Sequence, residues 1–180
     1  IRIEGGTGNS IEDNVVGNSD GLDGNGNGNI GIEVLSNGNT IVGNFVGTNA
    51  NGDNLENRQA IVVDGGNNNL IGGPNSGDAN VMAFSTFSGL SLRSGADGNT
   101  VQGNYIGTNA SGADLGNGSL GLEIFLSDNN VVGYDYSASN LTTGAANNIA
   151  YNGGQGLYVK RDASTGNVLR GNSIYNNDGI

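Results

Sequence analysis

Four ionisable side chains occupy alternating positions of short apolar segments, and their types suggest chemistry on sugar acids. Cations can bind the carboxylate of a uronate, and a carboxylate can hold calcium or transfer a proton. If the protein is an enzyme, the predicted catalytic residues are Asp64, Arg93, Glu123 and Lys160. The alternative is that Arg93 and Asp64 form a neighbouring-strand ion pair worth about 0–1 kcal/mol. Both interpretations stay open from the sequence.

Aromatic side chains provide a second set of candidates, because an aromatic ring can stack on a sugar ring. Phe45 and Tyr105 stand at equivalent positions, each two residues before a glycine. Phe125 and Tyr158 lie in the same segments as two of the ionisable residues. We predict that these four residues contact carbohydrate. The alternative for Phe45 and Tyr105 is packing against the long connections that follow them.

Acidic residues in glycine-rich connections provide the only candidate metal ligands. The residues are Asp20, Asp23, Asp53 and Glu56. Calcium prefers oxygen ligands, and glycine allows the sharp turns that such loops need. The spacing matches neither the EF-hand loop nor the nine-residue calcium repeat. Calcium is therefore the one cofactor that the sequence suggests.

Composition excludes several other kinds of chemistry. The chain of 180 residues has no cysteine and no histidine, so thiolate metal sites and histidine-based catalysis are both excluded. The net charge of −11 opposes binding to nucleic acid or to anionic lipid. No apolar run is long enough to insert into a membrane. The high glycine count of 35 would suit disorder, but apolar residues recur too regularly for that.

The elements that position these candidates follow from an internal repeat. Residues 38–53 read GNTIVGNFVGTNANGD and residues 98–113 read GNTVQGNYIGTNASGA, an offset of 60 residues. Self-similarity at a fixed period is typical of a solenoid. Three short sequence patterns recur within each coil, one in which a small residue precedes alternating apolar residues and two in which an apolar residue follows an asparagine by two positions. Each coil is therefore predicted to carry three short strands. The long connections alternate between two places, which makes a pair of coils the repeating unit.

Alternation along each strand predicts which side chains point inward. The three predicted inward rows are Ile41, Ile71, Val101 and Val132; Val16, Val46, Met82 and Ile106; and Ile32, Ile61, Leu90, Leu122 and Leu157. An asparagine precedes the strand in two of these sets. Because stacked asparagines can form hydrogen-bonded ladders, we interpret both asparagine columns as structural.

The two matching strings resemble the parallel β-helix repeats of large secreted bacterial proteins. That architecture is shared with pectate lyases, other polysaccharide-active enzymes and surface adhesins. The resemblance covers essentially the whole chain and is specific for the fold rather than for an activity. The polygalacturonase-type catalytic set includes a histidine, which this chain lacks. The pectate-lyase-type set, with clustered carboxylates for calcium and an Arg or Lys base, remains open.

We therefore expect an all-β, right-handed parallel β-helix with three sheets and about six coils of roughly 30 residues. Residues 1–180 should form one domain, a segment of a longer solenoid or a unit that stacks end to end. The leading functional hypothesis is a non-catalytic structural or adhesive module, extracellular or at a cell surface, that contacts polysaccharide or a surface glycan. The alternatives are a polysaccharide lyase-like enzyme and a self-assembling fibre subunit.

Overall fold

The computed structural model describes residues 1–18, 30–75, 77–134, 144–160 and 164–179. Every regular element in these ranges is a β-strand. None of the described residues forms a helix that could cross a membrane. The strands form three parallel sheets of six strands each, and the chain visits the sheets in turn. The architecture is a three-sheet parallel β-helix of about six coils, as the sequence predicts.

Each sheet takes one strand from every coil. The first sheet contains β1 (Arg2–Ile3), β4 (Ile30–Val34), β7 (Gln59–Asp64), β10 (Ser88–Arg93), β13 (Leu120–Phe125) and β16 (Leu157–Lys160). The second contains β2 (Ser10–Glu12), β5 (Thr40–Val42), β8 (Leu70–Gly72), β11 (Thr100–Gln102), β14 (Val131–Gly133) and β17 (Val168–Arg170). The third contains β3 (Val15–Val16), β6 (Phe45–Val46), β9 (Val81–Met82), β12 (Tyr105–Ile106), β15 (Asn148–Ala150) and β18 (Ser173–Tyr175).

The three predicted inward rows meet along the axis and form a dry core. Ile41, Ile71 and Val101 stack in register through β5, β8 and β11 and are fully buried. Met82 and Leu90, from the other two rows, are also fully buried in the same cluster. Because each strand is only two to six residues long, this stacking of like side chains on like side chains provides most of the apolar burial.

Asparagine ladders connect the coils at the two corners where the sequence predicts asparagine columns. Before the second sheet, both the backbone N–H and the side-chain amide of Asn39 donate to Oδ1 of Asn69, at 2.8 and 3.0 Å. The same pair of bonds recurs from Asn69 to Asn99. A second ladder of the same kind precedes the third sheet and includes Asn44, which donates to Asn80. The structural interpretation of the asparagine columns is confirmed.

A third ladder, at the corner before the first sheet, was not predicted. Asn117 donates to Oδ1 of Asn152, and Asn152 donates to Asn177. Ser85 occupies the equivalent place one coil earlier, where its N–H donates to Asn117 at 3.0 Å. The serine side chain is too short to continue the ladder, and its buried hydroxyl has no hydrogen-bond partner.

Leu169 and Ile174 continue the inward rows but are 43% and 48% exposed, because they lie in the last coil that the structure describes. Their partners on the inner side are Val132 and Ile149. Self-association through the ends of the solenoid stays a prediction.

A charge in the core should unfold the protein. Val101→Asp places an unpaired carboxylate in the dry stack, which costs several kcal/mol against a total stability of about 5–15 kcal/mol. We expect the cooperative thermal melt, followed by circular dichroism, to be lost or lowered by more than about 15 °C. The matched control is Thr100→Asp on the outer side of β11, which should melt within a few degrees of wild type. Equal melts for the two variants would contradict the inward assignment.

Repairing the break in the third ladder should stabilise the protein. Asn57 is the buried asparagine at the same corner one coil before Ser85. Ser85→Asn supplies the missing amide between Asn57 and Asn117, a gain of about 0.5–1.5 kcal/mol for a buried hydrogen bond. Ser85→Ala removes only an unpartnered hydroxyl and should be neutral or slightly stabilising. Urea denaturation measures both changes. A loss of stability in Ser85→Asn would show that this corner has no room for the longer side chain.

Candidate functional site

The predicted catalytic residues lie on the outer side of the first sheet, in the register that the sequence indicates. Arg93 pairs in the sheet with Asp64 on one side and with Phe125 on the other. The Arg93 Nε donates to the Asp64 Oδ2 at 2.9 Å, with about a quarter of each side chain exposed. Arg93 and Asp64 are therefore the neighbouring-coil ion pair that the structural alternative predicts.

Lys160 and Glu123 are also engaged with their neighbours. The Lys160 ammonium lies 3.8 Å from a Glu123 carboxylate oxygen. It also lies 5.5 Å from the ring centre of Phe125 and 6.0 Å from that of Tyr158, within the range of cation–π attraction. These contacts, which the sequence analysis missed, place two predicted sugar-binding aromatics around a cation of the same chain.

The arrangement on the first sheet does not bring the four catalytic candidates together. Asp64 and Glu123 lie two coils apart and in different columns, because Glu123 pairs with Ser91 and Asp64 pairs with Arg93. Glu123 is only 9% exposed, and Ser91 and Val62 beside it are fully buried although they point outward. The column is therefore closed to a large substrate from Glu33 to Glu123, whereas Tyr158, which follows Glu123, is 37% exposed.

The predicted calcium ligands are dispersed or lie outside the described residues. Asp20 and Asp23 belong to residues that the structure does not describe. The Asp53 carboxylate accepts a hydrogen bond from the Asn49 amide at 2.8 Å and closes its own loop. Glu56 is exposed, two residues beyond Asn54. Within the described ranges, no three carboxylates, histidines or cysteines come together as a metal site, so calcium binding stays a prediction.

A repeated loop after every second coil shapes the third sheet. The Asn49 Oδ1 accepts the N–H groups of residues 51 and 53, and Gly52 takes a φ of 82°. The Asn109 loop repeats this turn, with φ 76° at Gly112. The buried Thr48 hydroxyl donates to the carbonyl of residue 53, and Thr108 does the same in its loop. The string TNAxG in the sequence therefore encodes a defined loop.

Each loop returns to cover the glycine beside it. The Leu55 N–H donates to the Gly47 carbonyl, and the Leu115 N–H donates to the Gly107 carbonyl. A Cβ at Gly17 would lie 2.4 Å from the Leu55 Cβ, so only glycine fits there. The sequence also allowed the small residues Gly17, Gly47 and Gly107 to form an open track beside the aromatics, but Leu55 and Leu115 lie against it. Leu22, Leu55 and Leu115 stand at related points of three long connections, which predicts that they anchor the loops. The contacts of Leu55 and Leu115 confirm this role, while Leu22 lies outside the described residues.

The coil between the two loops carries no such cover, and this leaves a groove. Phe45, Val81 and Tyr105 are consecutive neighbours across the third sheet. They pack with Leu115 and Ala83 in a small apolar cluster. Phe45 and Tyr105 remain half-buried, and together with the loop tips they line a groove of about 560 Å³. The packing alternative is therefore correct for one side of each ring, and the other side faces the groove.

Polar groups stand at both ends of the groove. Asp13 lines one end, and Asn109 and Ser111 line the other. The Asn109 Oδ1 is occupied by its own loop, whereas its amide N–H groups have no partner within the described structure. In the first loop the corresponding Asn49 amide is bonded to Asp53, but Ala113 replaces that aspartate in the second loop.

The groove combines an apolar floor, two aromatic walls, an acceptor and a donor, which suits a ligand that is flat, apolar on its faces and polar at its edges. Sequence reasoning found Phe45 and Tyr105 but missed Asp13 and Asn109 as groove residues. Asn109 could have been found from the sequence, because the two matching strings differ at Asp53 and Ala113 and only the aspartate can bond to the asparagine amide of its loop.

Comparisons with known proteins give no family assignment. No protein-family model matches the chain, and neither a curated protein nor a solved structure matches it. The fold and the groove therefore carry the functional inference.

The Arg93–Asp64 pair should behave as an ordinary surface ion pair. In a double-mutant cycle with Arg93→Met and Asp64→Asn, followed by urea denaturation, we expect a coupling of about 0–1 kcal/mol, reduced in high salt. A coupling above about 3 kcal/mol would instead indicate a desolvated, preorganised pair of the kind found in catalytic sites.

Proposed function

We propose that the protein is a non-catalytic binding module that contacts carbohydrate through the groove on the third sheet. The observation that carries this proposal is the partial exposure of Phe45 and Tyr105 on either side of Val81, between two loops of the same conformation. In this proposal the module acts in a secreted or cell-surface protein and attaches to polysaccharide or to a surface glycan.

Rigidity of the site supports a binding role. Both loops are closed by buried threonines and by asparagine-centred turns, and the floor belongs to the sheet itself. Since little needs to be ordered when a ligand arrives, the entropic cost of binding is small. Because equivalent side chains repeat from coil to coil, an elongated polymer could also contact several coils at once.

The lyase-like alternative has weaker support from the first sheet. Proton abstraction needs a base that is free to approach the substrate, but Arg93 is bonded to Asp64 and Lys160 is surrounded by Glu123 and two rings. The carboxylates that would hold calcium or a proton are two coils apart, about 10 Å. These contacts favour a structural role for the four residues.

Removing the groove aromatics should abolish glycan binding. We expect Phe45→Ala and Tyr105→Ala each to weaken binding about tenfold or more on a glycan array and in calorimetry, because stacking area is lost. The matched controls are Phe125→Ala and Tyr158→Ala, which make the same truncations on the first sheet and should bind as wild type.

The opposite pattern would contradict the proposal. If the Phe125 and Tyr158 variants lose binding while the groove variants keep it, the ligand lies on the first sheet. Release of unsaturated sugars from polygalacturonate with calcium, lost in Lys160→Ala or Arg93→Ala, would favour the lyase-like enzyme. We expect no such product.

A further inference from the structure

We propose that the groove takes a neutral oligosaccharide of several sugar units and discriminates against uronates, with Asn109 as a donor that determines specificity. This inference rests on the proposed function and names the ligand class of the same site. It follows from the charge, the polar ends and the length of the groove, which are independent of the aromatic pair.

The charge of the groove disfavours an acidic ligand. None of the described residues that line it is a lysine or an arginine, and Asp13 is part of its wall. Asp53 stands beside it, bonded to Asn49 at the rim. A uronate would bring a second negative charge to this surface with no cation to neutralise it, in a chain whose net charge is −11.

The two polar ends complement hydroxyl groups. A sugar hydroxyl both donates and accepts, so it can donate to the Asp13 carboxylate at one end and accept from the Asn109 amide at the other. The Asn109 amide is available because Ala113 replaces the aspartate that engages Asn49 in the first loop. A cationic ligand without hydroxyl groups would bind Asp13 but would offer no acceptor to the Asn109 amide.

The groove has room for a flat ring between its aromatic walls. Phe45 and Tyr105 are separated by two interstrand spacings, about 9.6 Å at their backbones. A ring in contact with both walls needs about 4 Å on each side, about 8 Å in all. Val81 between them is short enough to serve as the floor.

The groove is also longer than one sugar. A second space of about 370 Å³ adjoins it, sharing Ala79, Tyr105 and Ala110, and it reaches Gly103 and Gly144. Asp13 lies in the first coil and Asn109 in the fourth, so the joined spaces extend over about 14 Å along the axis, or three interstrand spacings. Backbone is closely packed at this wall, since a Cβ on Gly144 would lie 2.0 Å from the Pro74 carbonyl oxygen, and the space for a further unit is the second space itself.

The test uses calorimetry with the intact chain and three classes of probe. The probes are neutral hexasaccharides (cellohexaose, xylohexaose and maltohexaose), hexagalacturonate, and tetramethylammonium as a cation without hydroxyls. We expect at least one neutral hexasaccharide to bind about tenfold or more tightly than hexagalacturonate at low salt, and more tightly than its own disaccharide. Tetramethylammonium should not compete.

Variants in the second loop separate specificity from stacking. Ala113→Asp copies the first loop and should occupy the Asn109 amide, weakening the neutral hexasaccharide about three- to tenfold, the effect of one hydrogen bond. Asn109→Ala should weaken it to a similar extent. The control is Asp53→Ala, which acts on the equivalent position of the first loop and frees the Asn49 amide, so affinity should stay equal or rise. A thermal melt verifies that each variant is folded.

The failures of the two proposals are distinguishable. Tight binding of hexagalacturonate that depends on Tyr105, or an unchanged affinity in both Asn109→Ala and Ala113→Asp, would overturn the neutral-ligand inference while leaving the binding module intact. No binding of any glycan, or binding insensitive to Phe45 and Tyr105, would overturn the proposed function and this inference with it. Competition by tetramethylammonium would instead identify a cation site.

Discussion

The structure depends on one constraint, the strict vertical register between coils. Each coil is too short to bury its own apolar face, so every inward residue must lie directly above its equivalent. Asparagine ladders enforce that register at the corners, because a one-residue slip would break two hydrogen bonds per step and leave buried amides unpaired. Insertions are therefore confined to the corners, where they become loops without shifting the stack.

The function that we propose follows from this confinement. Because the long connections alternate between two corners, the third sheet is covered after one coil and open above the next. The open coil supplies Val81 as a floor, while its neighbours supply Phe45 and Tyr105 and the loops that form the rim. The alternation of the long connections between two corners accounts both for the offset of 60 residues in the sequence and for the groove in the structure.

The fold could be predicted from the sequence because each coil repeats the same pattern of inward and outward residues along the chain. Ile41 and Val101 could be assigned inward from alternation alone, and their register followed from the matching strings. The site was harder, since it depends on where loops turn back. The sequence predicts that Leu55 anchors its loop, but no periodicity reveals that Leu55 packs against Gly17 of the preceding coil. Ser85 was missed for a similar reason, as a single substitution conceals the third ladder.

The most direct test of the account is an NMR titration of the assigned protein with a neutral hexasaccharide, reporting every backbone amide at once. The account predicts that shifts concentrate at residues 45, 81, 105 and 109–113 and leave the first sheet around Arg93 and Glu123 unchanged. Shifts centred on the first sheet, with none at Tyr105 or Asn109, would contradict it.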